Sequence, residues 1–180
     1  PEGLLKPAQV YRAGIVFLII GTAIGGYFVV TGGIVIGIIL AFAVISIYFY
    51  SSKIVNWRLA ELFVAIKGSM IVIGTYFVKT SQITEQVVLG GIVIGVLSSL
   101  VLFITSFPDH DADKAKGRKT LVISLGKQKA CTILWVFPMI TYGITITAIF
   151  LEIFPVFCLI ILSTIPLIIK SGLKLKQNYD

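Results

Sequence analysis

Six apolar stretches, at about residues 8–30, 33–51, 58–78, 86–106, 128–150 and 153–170, are each long enough to cross a bilayer and leave little chain between them. Inside hydrocarbon no water satisfies backbone N–H and C=O groups, so only helices or closed barrels can span. A barrel strand needs alternating polar residues, and runs such as Gly91-Ile92-Val93-Ile94-Gly95-Val96 have none. The β-branched residues in such runs carry a strand preference too weak to compete with that constraint. The expected fold class is therefore all-α, a polytopic membrane helical bundle of about six transmembrane helices in one domain over residues 1–180. With 57% hydrophobic and only 13% charged residues, a chain of this length could not hide its apolar surface in a soluble fold.

Charge orients the bundle. One set of connections, Thr31-Gly32-Gly33, Lys79 to Glu85 and Leu151-Glu152, holds only Lys79 as a cation. The other set, with the N-terminal flank, holds Lys6, Arg12, Lys53, Arg58, the cluster from Lys114 to Lys129, and Lys170, Lys174 and Lys176. By the positive-inside rule the second side is cytoplasmic, and both ends of the chain lie there, as an even number of spans requires. The net charge of +7 is thus mainly a topology signal. Nucleic-acid binding is excluded as a reading because the cations are dispersed over membrane loops.

Cys131 and Cys158 lie in apolar stretches without CxxC or Cys/His spacing and are read as free thiols. Glycines at 21, 25, 26, 33, 37, 90, 91 and 95, several of them four apart, are read as close-packing positions between helices. Pro138 and Pro166 are expected to kink the last two spans. The opening Pro1-Glu2-Gly3-Leu4-Leu5-Lys6-Pro7 has neither an initiator Met nor the pattern of a signal peptide, and reads as the interior of a longer polypeptide.

The densest chemistry is the connection Phe107-Pro-Asp-His-Asp-Ala-Asp-Lys-Ala-Lys-Gly-Arg-Lys-Thr120. Asp109, Asp111 and Asp113 can gather a hard divalent cation, while Lys114, Lys116, Arg118 and Lys119 suit phosphate oxygens. An EF-hand loop is excluded, because Lys114 stands where that loop needs Gly and Thr120 where it needs a bidentate Glu. If the preceding helix continues, Asp109 and Asp113 fall at i and i+4 on one face. That spacing suits Mg²⁺ shared with a diphosphate, since Mg²⁺ typically takes one or two carboxylates plus substrate phosphates. A solvated, charge-balanced connector is the plain alternative.

Asp109-His110-Asp111-Ala112-Asp113, with Gly117-Arg118-Lys119-Thr120-Leu121-Val122 and Leu125-Gly126, resembles the second aspartate-rich motif of the UbiA superfamily of intramembrane prenyltransferases. Glu61-Leu62-Phe63-Val64 with Gly74-Thr75-Tyr76-Phe77-Val78 looks like the fifth helix of its menaquinone-type members, and Pro1 to Gln9 resembles the stretch after the first aspartate-rich motif. The resemblance covers nearly the whole chain. It implies helices three to eight of a nine-helix bundle, with the first Asp motif and the last helix absent, so the piece alone is expected to be inactive.

The resemblance further implies Mg²⁺-dependent transfer of a polyprenyl group from its diphosphate to an aromatic acceptor in the membrane, with pyrophosphate released. A dihydroxynaphthoate-like acceptor is favoured, with 4-hydroxybenzoate or a glycerol-phosphate lipid as alternatives. Asp109 and Asp113 are the expected metal ligands, and Asp111 is a ligand or an outer partner. Lys53, Arg118 and Lys119 are expected to contact the diphosphate, Lys53 by likeness to the family's Tyr/Lys loop. Lys114, Lys116, Lys127 and Lys129 read as interfacial charge. Glu61 and Lys67 are ionisable groups within an apolar span, which normally face the bundle interior. Lys67 lies about nine residues into its span, roughly 13 Å along a helix and long for snorkelling. Both, with Tyr76, are candidate cavity residues. A transporter is the reading from another class, but no inverted repeat is present and the charges gather at one membrane face. A non-catalytic scaffold leaves the Asp spacing without a reason.

Overall fold

The computed structural model describes residues 6–50 and 59–177, all of them in helices or short connections with no strand among them. The order is α1 (Pro7–Gly32), α2 (Ile34–Tyr50), α3 (Ala60–Thr80), α4 (Glu85–Thr105), α5 (His110–Ala115), α6 (Leu121–Leu125), α7 (Lys127–Ile133), α8 (Val136–Phe150), a 3-10 helix (Val156–Thr164) and α9 (Ile165–Gln177). Five apolar helical segments are long enough to cross a membrane, with α7 and α8 forming one and the 3-10 helix and α9 another. The second expected span is α2, apolar but for Ser46 and shorter at 17 residues. The chain is a polytopic helical membrane protein.

Backbone demands explain how polar residues survive in these spans. Hydroxyls of Thr22, Ser69, Thr75, Thr141 and Thr145 each donate to the carbonyl four residues back, at 2.7–3.0 Å. A Ser or Thr that returns its hydroxyl to its own helix brings no unsatisfied group into lipid. Turns are tight where the chain reverses. Gly33, at φ 79°, stops α1 and starts α2 with its N–H on Val29 O at 2.8 Å, a conformation that Gly reaches without strain.

The helices meet most closely at α3 and α4. A Cβ on Gly95 would collide with the Ala65 carbonyl oxygen and Ser69 Oγ, and one on Gly91 would stand 3.0 Å from the Ser69 carbonyl oxygen. Gly21, Gly26 and Gly90 have no atom within 4 Å of where a Cβ would lie, so they are not packing positions among the described residues. Helical spacing alone cannot separate the two sets, because that depends on each helix's rotation toward its neighbours. Gly95→Ala should therefore destabilise the protein by about 1–3 kcal/mol, the usual range for overpacking. Gly90→Ala should stay within about 0.5 kcal/mol. Thermal unfolding of both variants in the same detergent checks the difference.

A second core lies beneath the acidic connection. Phe103, Phe107, Val122, Ala130, Cys131 and Leu134 are buried together, and Phe103 meets Phe107 edge-on at 5.6 Å and Phe137 at 5.2 Å. These residues join the end of α4 to α6, α7 and α8, so the connection hangs from a packed base. Cys131 and Cys158 are both free. The last two spans break near their prolines. The α7–α8 junction falls at Leu134 and Trp135, one turn before Pro138, where a ring would clash with the carbonyl of Leu134 in a continuous helix. The change from 3-10 to α geometry falls at Ile165, immediately before Pro166.

Candidate functional site

The helix that carries the acidic residues begins where α4 ends. Ser106 closes α4, its hydroxyl on Leu102 O at 2.9 Å, and buried Phe107 pins the chain to the core before Pro108. Asp109 is the N-cap of α5, and its carbonyl accepts the Asp113 N–H at 2.8 Å. That bond is one helical turn, so the two carboxylates share a face, while Asp111 between them is rotated away. The Asp111 side chain is 84% exposed and engages His110 Nδ1 at 2.7 Å and Lys127 Nζ at 3.8 Å. The His110 hydrogen bond, with the nearby Lys127 charge, holds its carboxyl below the usual carboxylate range.

Asp113 is only 14% exposed at its side chain and accepts a hydrogen bond from Arg118 Nη1 at 3.0 Å. The Arg118 backbone N–H also donates to the Asp113 carbonyl at 3.0 Å. The intervening turn is made at Gly117, at φ 72°. Thr120 is buried and caps α6, its Oγ1 accepting the Ile123 N–H at 3.3 Å. Asp109, Asp113, Arg118 and Thr120 line one cavity of about 220 Å³ with Thr105 and, from the first turn of α3, Glu61.

Glu61 is 6% exposed, lies beside the backbone N–H of Leu121, and leaves its Oε2 without a hydrogen-bond partner. A buried carboxylate oxygen in that state is costly unless a ligand, ion or water completes it. The cavity thus combines three carboxylates with one guanidinium, a set that favours cations over a bare anion.

Among the described residues no three of His, Cys, Asp and Glu are grouped closely enough to hold a metal by themselves. Asp109 and Asp113 fit a hard cation that draws its remaining oxygens from phosphate and water, and the orphaned oxygen of Glu61 lines the same cavity, where it can accept from such a water. Other predicted residues lie elsewhere. Lys119 is exposed and does not line the cavity, Tyr76 is 37% exposed farther along α3, and Lys53 and Arg58 lie outside the described residues. Lys67 lines a separate recess with Ser46 and Phe63. Sequence reasoning missed Thr105 and the capping role of Thr120; a Thr directly before an apolar run is the N-cap signal that would have marked the latter. Another recess, about 620 Å³ between α4, Leu134 and α9, is walled by residues such as Leu100, Ile104 and Leu167, with no carboxylate among its described lining residues.

Comparison with known proteins adds a second line of evidence. The UbiA prenyltransferase family matches residues 1–179. The chain is similar to the 1,4-dihydroxy-2-naphthoate octaprenyltransferase of Bacillus subtilis (strain 168), at 37% identity over 75 residues, which is 41% of this chain and 24% of that protein. The matched stretch therefore spans about a quarter of that relative's length. No solved structure matches the chain.

Proposed function

This chain belongs to the UbiA prenyltransferase family, and we propose that it carries a diphosphate-binding site of a membrane prenyltransferase acting on an aromatic acceptor. The observation that supports this most is the shared cavity: Asp109 and Asp113, one turn apart, open onto the same space as Arg118. Asp109 and Asp113 would hold Mg²⁺ against the substrate diphosphate, with Glu61 Oε2 accepting from a water around it. Bound there, Mg²⁺ would offset the negative charge that grows on the leaving oxygens as the allylic C–O bond breaks.

The chain's own groups set the stage for that step. Arg118 is held by Asp113, so its planar fork is already oriented toward the cavity, and it supplies donors to phosphate oxygens without waiting for a side chain to order. The helical spans exclude water from the space beyond, where the allylic carbon loses diphosphate and forms a bond to an aromatic carbon, which then releases its proton. A dihydroxynaphthoate-like acceptor is favoured by the similarity to the B. subtilis enzyme. The acidic connection faces the cytoplasm in this reading, because it lies on the Lys/Arg-rich side.

The test supplies the full-length protein in lipid with Mg²⁺, polyprenyl diphosphates of several lengths, and dihydroxynaphthoate or 4-hydroxybenzoate. Products identified by mass should be the prenylated naphthoate plus pyrophosphate. Prenyl transfer to the benzoate alone would replace the acceptor, and no transfer to any aromatic acceptor would reject the reading.

A further inference from the structure

Lys67 and Ser46 form a second polar site that the diphosphate cavity does not use. Lys67 stands seven residues into α3, about 10 Å along the helix from its start, and with Ser46, Ile47, Phe63 and Val64 lines a recess of about 200 Å³. Its ammonium has no hydrogen-bond or ion-pair partner among the described residues. Facing the same space, the Ser46 hydroxyl is 5% exposed at residue level and also without a partner. The buried hydroxyls of Thr141 and Thr145, by contrast, bond back to their own helix.

A cation and a hydroxyl left unsatisfied together inside a membrane span are costly, and an intramembrane ionisable group ordinarily marks a ligand. The ligand must be an anion. Phosphate sites gather several cations, whereas among the described residues this recess offers one cation and one hydroxyl, enough for the two oxygens of a carboxylate. Phe63 lines the wall and is stacked on Phe42 with centroids 6.0 Å apart and planes 6° from parallel, so the surface beside the polar pair is aromatic. Whole ligand pockets run to about 300–1,000 Å³, so a recess of this size takes one end of a molecule. Position suits the chemistry as well. Successive spans run antiparallel, so the end of α2, the start of α3 and the end of α4 lie at the same membrane face. The recess therefore opens on the side of the Asp109 and Asp113 cavity, and Lys67 is about 9 Å farther along α3 than Glu61.

Resting on the reading of the chain as an aryl prenyltransferase, we propose that Lys67 and Ser46 bind the carboxylate of an aromatic acid acceptor, with Phe63 against its ring, and so set acceptor specificity. The carboxylate oxygens accept from Lys67 Nζ and Ser46 Oγ while the rest of the ring extends out of the recess.

Binding of 1-hydroxy-2-naphthoate and of 1-naphthol, which lacks the carboxylate, is measured by calorimetry on the full-length protein without prenyl diphosphate. Wild type should prefer the naphthoate by at least about tenfold, the scale of one charged hydrogen bond. Lys67→Gln should erase that preference while leaving naphthol binding unchanged, Ser46→Ala should weaken it in the same direction, and Lys67→Arg should retain most of it. Lys67→Met, an apolar residue suited to a span, gives the same loss of preference if Gln perturbs folding, and unfolding temperatures identify any variant that has collapsed. Equal naphthoate affinity in wild type and Lys67→Gln overturns the inference, as does a wild type indifferent to the carboxylate. Transfer assays separate this outcome from the wider reading. A carboxylate preference that depends on Lys67 in a protein that prenylates nothing upholds the carboxylate site and rejects prenyl transfer. Prenylation of naphthoate with unchanged KM in Lys67→Gln does the reverse.

Discussion

Replacing Asp109 or Asp113 with Ala in the full-length protein should lower kcat for prenyl transfer by on the order of 10²–10³-fold each, the scale of losing one preorganised electrostatic group. The effect follows from their shared face: the Asp113 N–H bonds the Asp109 carbonyl at 2.8 Å, so both carboxylates address one cavity. Asp111 is the internal control. Its side chain is 84% exposed and turned to His110 and Lys127, so Asp111→Asn should change kcat by less than about threefold, as for most surface changes. Steady-state kinetics with product detection by mass distinguish the three. A loss at Asp111 equal to that at Asp109 would point to a connector that senses total charge and not to a two-carboxylate site. The double variant of Asp109 and Asp113 should lose little more than either single one, because residues that act as a unit are not additive.

Stripping divalent cations with a chelator should abolish transfer, and Mg²⁺ should restore it. Asp109 and Asp113 offer a cation only two carboxylates, so in the proposed site its affinity draws on phosphate oxygens supplied by the substrate. The apparent Mg²⁺ requirement should accordingly fall as prenyl diphosphate is raised, and the two should show reciprocal coupling. Activity that persists fully in excess chelator would leave Asp109 and Asp113 without their assigned role. Metal dependence that ignores the diphosphate concentration would point to a preformed protein site.

Much of this architecture is legible in the amino-acid sequence, and the reason is solvent. Hydrocarbon forces backbone groups to pair within each segment, so the lengths of apolar runs mark the six helical segments, of which α2, at 17 described residues, is the shortest. Prolines marked where α7 meets α8 and where the 3-10 helix meets α9, although the 3-10 geometry of Val156–Thr164 itself carries no pattern that apolarity can reveal. The shared face of Asp109 and Asp113 was readable from their spacing. The outward turn of Asp111 follows from the same geometry, since two residues of helix rotate a side chain by about 200°.

What escaped depends on tertiary contacts. Glu61 could be read as an ionisable group near a helix start, but its meeting with α6 beside Leu121 joins residues distant in sequence. Lys67 and Glu61 lie on one helix yet open onto different spaces, because six residues rotate them about 120° apart and the neighbouring helices differ. Glycine spacing likewise could not tell Gly95, pressed against Ala65, from Gly90, which faces open space.

In the proposed site Asp109, Asp113 and Arg118 grip a diphosphate through a divalent cation. Manganese resonance tests it directly, with Mn²⁺ titrated into the full-length protein in the presence and absence of pyrophosphate. Pyrophosphate should tighten Mn²⁺ binding to the wild type by at least about tenfold, and the Asp109→Asn, Asp113→Asn double variant should lose that response. Mn²⁺ binding that is equally tight, and equally responsive to pyrophosphate, in wild type and double variant would contradict it.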